Sequence, residues 1–105
     1  MADNIKRVGA TLDAAGEYTD WISPSFRSGV ETLNLGIDAS SDFSGSVILE
    51  LTYTYDSTTY TRTVATYTED AQKIVEDHVN GVKYRLRMTE RSAGSVEAEL
   101  YRDNN

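Results

Sequence analysis

Apolar and polar residues alternate with a period of two along most of this chain. The clearest run spans residues 45–56, where Val47, Leu49 and the odd-numbered residues after them alternate with neighbours that are polar except for Ile48. Such alternation places one set of side chains on each face of a β-strand. The next run, 59–68, is almost wholly Thr, Tyr and Val, a composition typical of strands. Because only the turn residues 56–58 separate the two runs, we predict that they form an antiparallel hairpin.

Alternation returns near the C-terminus, at 82–89 and again at 96–100, with a turn at 92–94 between them. This pattern predicts a second hairpin. Directly opposed residues of an antiparallel pair point to the same face, so burying both apolar rows also brings two basic and two acidic side chains together. These side chains are Arg85 and Arg87 on the first strand, and Glu97 and Glu99 on the second.

Shorter alternating segments lie upstream, at 29–38 and twice within 8–22, and turns rich in Gly, Ser and Asp separate them. Short strands at this spacing predict an all-β fold, a small antiparallel β-sandwich or jelly roll of about seven to eight strands. A length of 105 residues suits a single domain. We place that domain at 8–102, with a polar N-terminal arm at 1–7 and a polar tail at 103–105.

The segment 69–79 fits two structures. Read as a short helix, it has Thr68 as N-cap, apolar residues at helical spacing, and a stop at 80–81. The same residues also alternate as a strand would, with Ile74 on one face and Val75 on the other. We favour a strand or loop over the helix.

Charge and composition narrow the classes of partner. The net charge of −7 opposes binding to phosphate backbones and to anionic membranes, so we expect neither nucleic acid nor a membrane as partner. The chain has no cysteine, which removes disulfides and thiolate sites. No stretch approaches the roughly 20 apolar residues of a membrane span, and the first eight residues lack the apolar centre of a secretory signal.

Residues that carry chemistry are few. The single histidine, His78, stands beside Glu76 and Asp77, and we interpret this trio as a solvated charged edge in preference to a metal or acid–base site. Asp38 and Asp42 flank a Ser-rich turn, which we assign to turn chemistry in preference to calcium binding. Motifs for phosphate binding, serine nucleophiles and zinc helices do not occur in the sequence. We therefore predict a protein that is not an enzyme and has no catalytic, cofactor or metal site.

The chain is rich in tyrosine, with seven Tyr beside two Phe and one Trp. A tyrosine ring with its polar hydroxyl suits protein interfaces. In the first predicted hairpin, Tyr53 and Tyr55 share the face of the apolar row, so we expect them in the core. Tyr60 and Tyr67 become candidate interface residues. Trp21 is most simply a core or inter-sheet packing residue, with a ligand contact as the alternative.

Five short motifs follow one another along the chain. They are Ala10-Thr11-Leu12 with Thr19-Asp20-Trp21-Ile22, then Gly29-Val30, Phe43-Ser44-Gly45-Ser46-Val47-Ile48-Leu49-Glu50, Tyr84-Arg85-Leu86-Arg87, and Ser92-Ala93-Gly94-Ser95-Val96. Their order and spacing resemble those of small β-sandwich structural proteins of tailed bacteriophages, of the capsid decoration (cement) or neck and tail type. The motifs are spread from residue 10 to residue 96, although each one alone is only a strand and a turn.

The resemblance implies a virion protein, made in the cytoplasm of the bacterial host. It would bind the major capsid protein or other virion proteins and form a homo-oligomer, a trimer or higher, on the particle. Weak contacts would be multiplied by symmetry. The arm at 1–7, with positive charges on Lys6 and Arg7, would order on the shell, unless it is simply a disordered tail.

A second class of function also suits a tyrosine-rich β-sandwich. A carbohydrate- or ligand-binding module would present an exposed platform of Trp and Tyr, and would need Trp21 to be accessible to solvent. A small enzyme or enzyme inhibitor would need a pocket, which this sequence does not predict.

Overall fold

The computed structural model describes residues 5–27, 30–75 and 82–103. Within these ranges the secondary structure consists of antiparallel β-strands, with no helix. The strands are β1 (Ile5–Leu12), β2 (Ser25–Arg27), β3 (Val30–Thr32), β4 (Asn34–Ala39), β5 (Ser44–Tyr55), β6 (Thr58–Tyr67), β7 (Ala71–Ile74), β8 (Lys83–Ala93) and β9 (Val96–Asp103).

Seven of the strands form two sheets that make a small β-sandwich. The four-stranded sheet has the order β1-β9-β4-β7, and the three-stranded sheet has the order β6-β5-β8. Strands β2 and β3 form a separate two-stranded ribbon. The predicted fold class is therefore confirmed.

The core contains the inward-facing residues of both sheets, which form one hydrophobic cluster. Residues spaced two apart on each strand reach this cluster, as alternation predicts. Its fully buried members on the strands are Leu12, Leu35, Ile37, Val96, Ala98 and Leu100 from the four-stranded sheet, and Val47, Leu49, Tyr84, Leu86 and Met88 from the three-stranded sheet. Ile22 and Leu33, which lie outside these strands, are buried in the same cluster.

The hairpin predicted from the first two runs is confirmed as β5 and β6, paired from Val47↔Tyr67 to Tyr55↔Thr58. Its two-residue turn is Asp56-Ser57, where both residues have positive φ, 52° and 67°. Two positive φ values are the signature of a type I′ turn, whose twist matches the twist of the strands. Glycine suits such positions because it has no Cβ to clash, and asparagine or aspartate because a short polar side chain can hydrogen-bond locally.

We expect Ser57→Gly to stabilise the protein by about 1 kcal/mol, since glycine adopts positive φ without a Cβ clash. Urea denaturation of the variant and the parent would measure the difference. Ser41→Gly, at an exposed turn position without positive φ, is the matched control and should be neutral or destabilising. A Ser57→Gly variant no more stable than the parent would contradict the turn type.

The second predicted hairpin is wrong. Strand β8 lies in the three-stranded sheet and β9 in the four-stranded sheet, so the chain crosses from one sheet to the other at Gly94 and Ser95. Gly94 has φ 76°, and a Cβ there would come within 2.6 Å of the Phe43 backbone, so the crossing requires glycine. An arch and a hairpin bury the same alternating apolar rows, which is why the pattern did not separate them.

The segment 69–79 begins as strand β7, which pairs with β4 from Ile37↔Ala71 to Asn34↔Ile74. The alternative of a helix is therefore wrong for this part, because Ala71–Ile74 completes the edge of the four-stranded sheet. Residues 76–79 lie outside the described ranges. At the other end of the chain, β1 begins at Ile5, so the last three residues of the expected arm belong to the sheet.

Candidate binding surface

The four residues predicted for an interface fall in two places. Lys6 and Arg7 lie exposed on β1 of the four-stranded sheet, and Arg7 pairs with Glu99 of the neighbouring strand. Tyr60 and Tyr67 lie half-buried on β6 of the other sheet. Tyr67 packs against the core, and this burial raises the pKa of its hydroxyl. The structure thus does not bring the four residues into one site.

The segment 13–24 runs along the outer edge of β8 as an irregular strand. Its backbone exchanges hydrogen bonds with β8 at Ile22 and Tyr84, at 2.9 and 2.8 Å. Further along, the Thr19 amide donates to the Leu86 carbonyl and the Leu86 amide donates to Thr19 Oγ1, at 2.9 and 3.1 Å. Thr19 is buried, so both of its polar groups need these partners. The segment therefore holds its aromatic residues over the outer face of the three-stranded sheet.

Two aromatic rings of this segment enclose an arginine of β8. The Arg85 guanidinium carbon lies 4.2 Å from the ring centroid of Tyr18 and 4.3 Å from that of Trp21. Both distances are within the range of cation–π attraction. We call Tyr18, Arg85 and Trp21 the aromatic clamp. Trp21 is half-buried in this clamp and is not part of the core cluster, so the core position expected for it is wrong.

A buried carboxylate anchors the clamp. Glu50 Oε2 accepts hydrogen bonds from Arg85 Nε at 2.6 Å and from Arg87 Nε at 3.1 Å. The Glu50 side chain is 3% exposed, against 19% for Arg85 and 35% for Arg87. A carboxylate so far from water needs such charge-assisted partners. The two arginines thus contact Glu50 on their own sheet. The predicted contact of Arg85 and Arg87 with Glu97 and Glu99 is wrong.

A second carboxylate binds the first residues of the segment 13–24, which we call the clamp segment. Glu17 Oε1 accepts hydrogen bonds from the amides of Asp13 and Ala14, at 2.8 and 3.1 Å. The bond from the Asp13 backbone is the main cause that lowers the pKa of Glu17 below 4.5, and the charge of Arg91 adds to it. Both bonds favour the ionised carboxylate.

We therefore expect the clamp segment to loosen in acid. A lowered folded-state pKa means that the stabilisation is present above pH 4.5 and is lost as pH falls through the lowered value. The fluorescence of Trp21 should report this as a shift to longer wavelength in that window. Glu17→Gln should already show part of the shift at neutral pH and lose that step of the titration. An identical titration in parent and variant would contradict the role of Glu17.

The far end of the β5–β6 hairpin carries a second group of aromatic residues. The rings of Tyr53 and Tyr60 stack at a centroid distance of 5.2 Å, and the Arg62 guanidinium lies 5.8 Å from the Tyr60 centroid. Tyr53 packs partly on the core, but Tyr55 is 70% exposed, so its expected core position is wrong. We call Tyr53, Tyr55 and Tyr60 the tyrosine patch.

The remaining candidates are simpler. Asp42 accepts a hydrogen bond from Ser40 Oγ at 2.7 Å, as in ordinary turn chemistry. Asp38 lines an open depression of about 450 Å³ on the four-stranded sheet with Arg7, Glu97 and Glu99. Across the described ranges, no three potential ligands are placed to hold a metal ion. His78 lies outside those ranges.

The fold and these two surfaces define the protein as a small antiparallel β-sandwich with aromatic residues at its surface. No protein-family model, no curated protein and no solved structure matches the chain. No helix in the described ranges is long and apolar enough to cross a membrane.

Proposed function

We propose that this protein is a non-enzymatic structural subunit of a tailed-phage virion. It docks on the coat lattice as a capsid decoration (cement) protein, or on the neck or tail as a subunit of those parts. The order of strand and turn motifs supports the virion role, and the tyrosine patch supports action by docking. Major capsid protein or another virion protein is the proposed partner.

The exposure of the tyrosine patch is the observation that carries docking. Among the described residues, three large apolar side chains are exposed, namely Tyr55 at 70%, Tyr18 at 54% and Val64 at 44%. Two of them lie on the β5–β6 hairpin, and Tyr55 stands at its tip beside the turn. Tyrosine contributes large contact area at low entropic cost and is enriched in the centre of interfaces. A small, weak contact of this kind gives high overall affinity when the symmetry of a particle repeats it.

The test is binding of the purified chain to particles that lack it. We expect Tyr55→Ser to weaken binding by roughly tenfold or more, as for a central interface tyrosine. Tyr18→Ser, which removes an equally large exposed ring at the aromatic clamp, should bind like the parent. Full binding by Tyr55→Ser would contradict docking through the tyrosine patch. Loss of binding by Tyr18→Ser alone would move the contact to the clamp.

A carbohydrate- or ligand-binding module is the second candidate, and the aromatic clamp favours it. Tyr18 is 54% exposed and Trp21 is half-buried, so both rings reach the surface. Arg85 lies over both rings, so a sugar would stack on the parts of the two rings that remain exposed. Quenching of Trp21 fluorescence by a panel of soluble glycans tests this function. A blue-shifted emission that resists quenchers and glycans would remove it.

A further inference from the structure

The edge strands of the two sheets differ in how well they are protected from pairing with another chain. The outer edge of β8 is covered by the segment 13–24. Strand β7 is only four residues long, and β1 carries Lys6 and Arg7. Short strands and basic side chains are the usual means of keeping an edge from pairing with another chain.

Strand β6 has much less of this protection. Within the described ranges it pairs with β5 alone, so one side of its ten-residue backbone is open. It contains neither Pro nor Gly, and its single charge is Arg62. The molecule carries a net charge of −7, yet this edge has no acidic residue, so two copies can approach here without meeting like acidic charges. A bulge at Val64, where the β5–β6 register shifts, leaves 58–63 as the regular part of the edge.

We propose that β6 pairs with β6 of a second copy of this chain, antiparallel and about a twofold axis at Thr61. A twofold contact is self-complementary, so residue i meets j and j meets i. With the axis at Thr61, Tyr60 of each copy stands opposite Arg62 of the other, and Thr59 stands opposite Thr63. Opposed residues then share a face, and the two pairs of Tyr60 with Arg62 add cation–π attraction.

Other registers fit less well. An axis at Arg62 would place the two guanidiniums directly opposite each other, and like charges in that position are destabilising. A register shifted by one residue would set outward-facing threonines of one copy opposite inward-facing tyrosines of the other. An axis at Tyr60 would set Arg62 of each copy opposite Thr58 of the other, which loses both cation–π pairs. An axis at Thr59 would draw the turn residues Asp56 and Ser57, which have positive φ, into the ladder. The contact joins two three-stranded sheets into one sheet of six strands.

This contact deepens the proposed assembly role and rests on it only for its biological setting. The chain has no native cysteine, so single cysteines report the register without background. Thr61→Cys should form a disulfide-linked dimer under mild oxidation, because directly opposed residues have Cα atoms about 4.5–5.5 Å apart. Thr59→Cys, exposed on the same face, should not form this dimer. Thr59 of one copy stands opposite Thr63 of the other, so the two Thr59 positions are four residues apart along the strand, roughly 13 Å. A mixture of Thr59→Cys and Thr63→Cys chains should form the mixed dimer.

Association of the uncrosslinked chain is measured by sedimentation over a range of concentrations. We expect a reversible dimer, weakened about tenfold or more by Thr61→Lys, which adds charge at the edge. Thr54→Lys, exposed on the same face but on β5, is the control and should associate like the parent. A parent that stays monomeric, or Thr61→Cys that crosslinks no faster than Thr59→Cys, would overturn the pairing. Either result is obtained without particles, so it leaves the virion role to be judged separately.

Discussion

Replacing Leu86 with Asp is expected to abolish folding. Leu86 is fully buried on β8 at the centre of the core cluster, with Leu49 as its neighbour on β5. The substitution removes a packed side chain, at a cost of about 2–5 kcal/mol, and adds the cost of burying a carboxylate without a partner. Together these costs are comparable to the whole free energy of unfolding of a small domain, which is about 5–15 kcal/mol. Far-UV circular dichroism and thermal melting would show an unfolded chain.

The control for this variant is Lys83→Asp, on the same strand but exposed. It should fold and melt cooperatively, with a change in stability within about 0.5 kcal/mol, as surface substitutions usually show. Soluble Leu86→Asp protein that melts cooperatively would contradict the assignment of the inner face of β8, and with it the sandwich.

Replacing Glu50 with Ala is the second large effect that we expect, a loss of about 3 kcal/mol in the free energy of unfolding. Removing one partner of a buried ion pair leaves the other charge without compensation, which typically costs about 3–5 kcal/mol. We take the lower end because Arg85 is 19% exposed and keeps some contact with water. Urea denaturation with a constant m value would measure the loss.

Two variants separate this ion pair from ordinary packing. Glu50→Gln keeps the volume and an acceptor for the arginines, so it should lose less, about 1–2 kcal/mol. Arg87→Ala removes the more exposed partner, 35% exposed, and should lose under about 1 kcal/mol. Equal losses for Glu50→Ala and Arg87→Ala would show that Glu50 is not the centre of the cluster.

Local alternation predicted the strands well, but it did not predict the partners of every strand. Val47 and Leu49 face the core as expected, and β5 pairs with β6 across the expected turn. Strands β8 and β9 follow one another as closely as a hairpin, yet they lie in different sheets. Alternation specifies which side chains are buried, and both arrangements bury the same ones. The choice depends on long-range contacts that a local pattern does not contain.

The candidate surfaces were predicted only in part. Tyr60 belongs to the tyrosine patch, but Glu50 was grouped with the exposed face of its strand because it alternates with Leu49 and Leu51. The one hint was Ile48, an apolar residue on that same face, which is also buried. Trp21 was expected to pack in the core or between the sheets, whereas the segment 13–24 holds it outside the core cluster. No local signal predicts that an irregular segment will cover an edge strand.

The measurement that tests the central claim most directly is quantitative mass spectrometry of gradient-purified particles from the producing cells. The number of copies of this chain would be counted against the major coat protein. A virion subunit should be present, near the coat stoichiometry for a decoration protein or in a handful of copies for a neck or tail subunit. Absence of the chain from particles would contradict the virion role and favour the ligand-binding module.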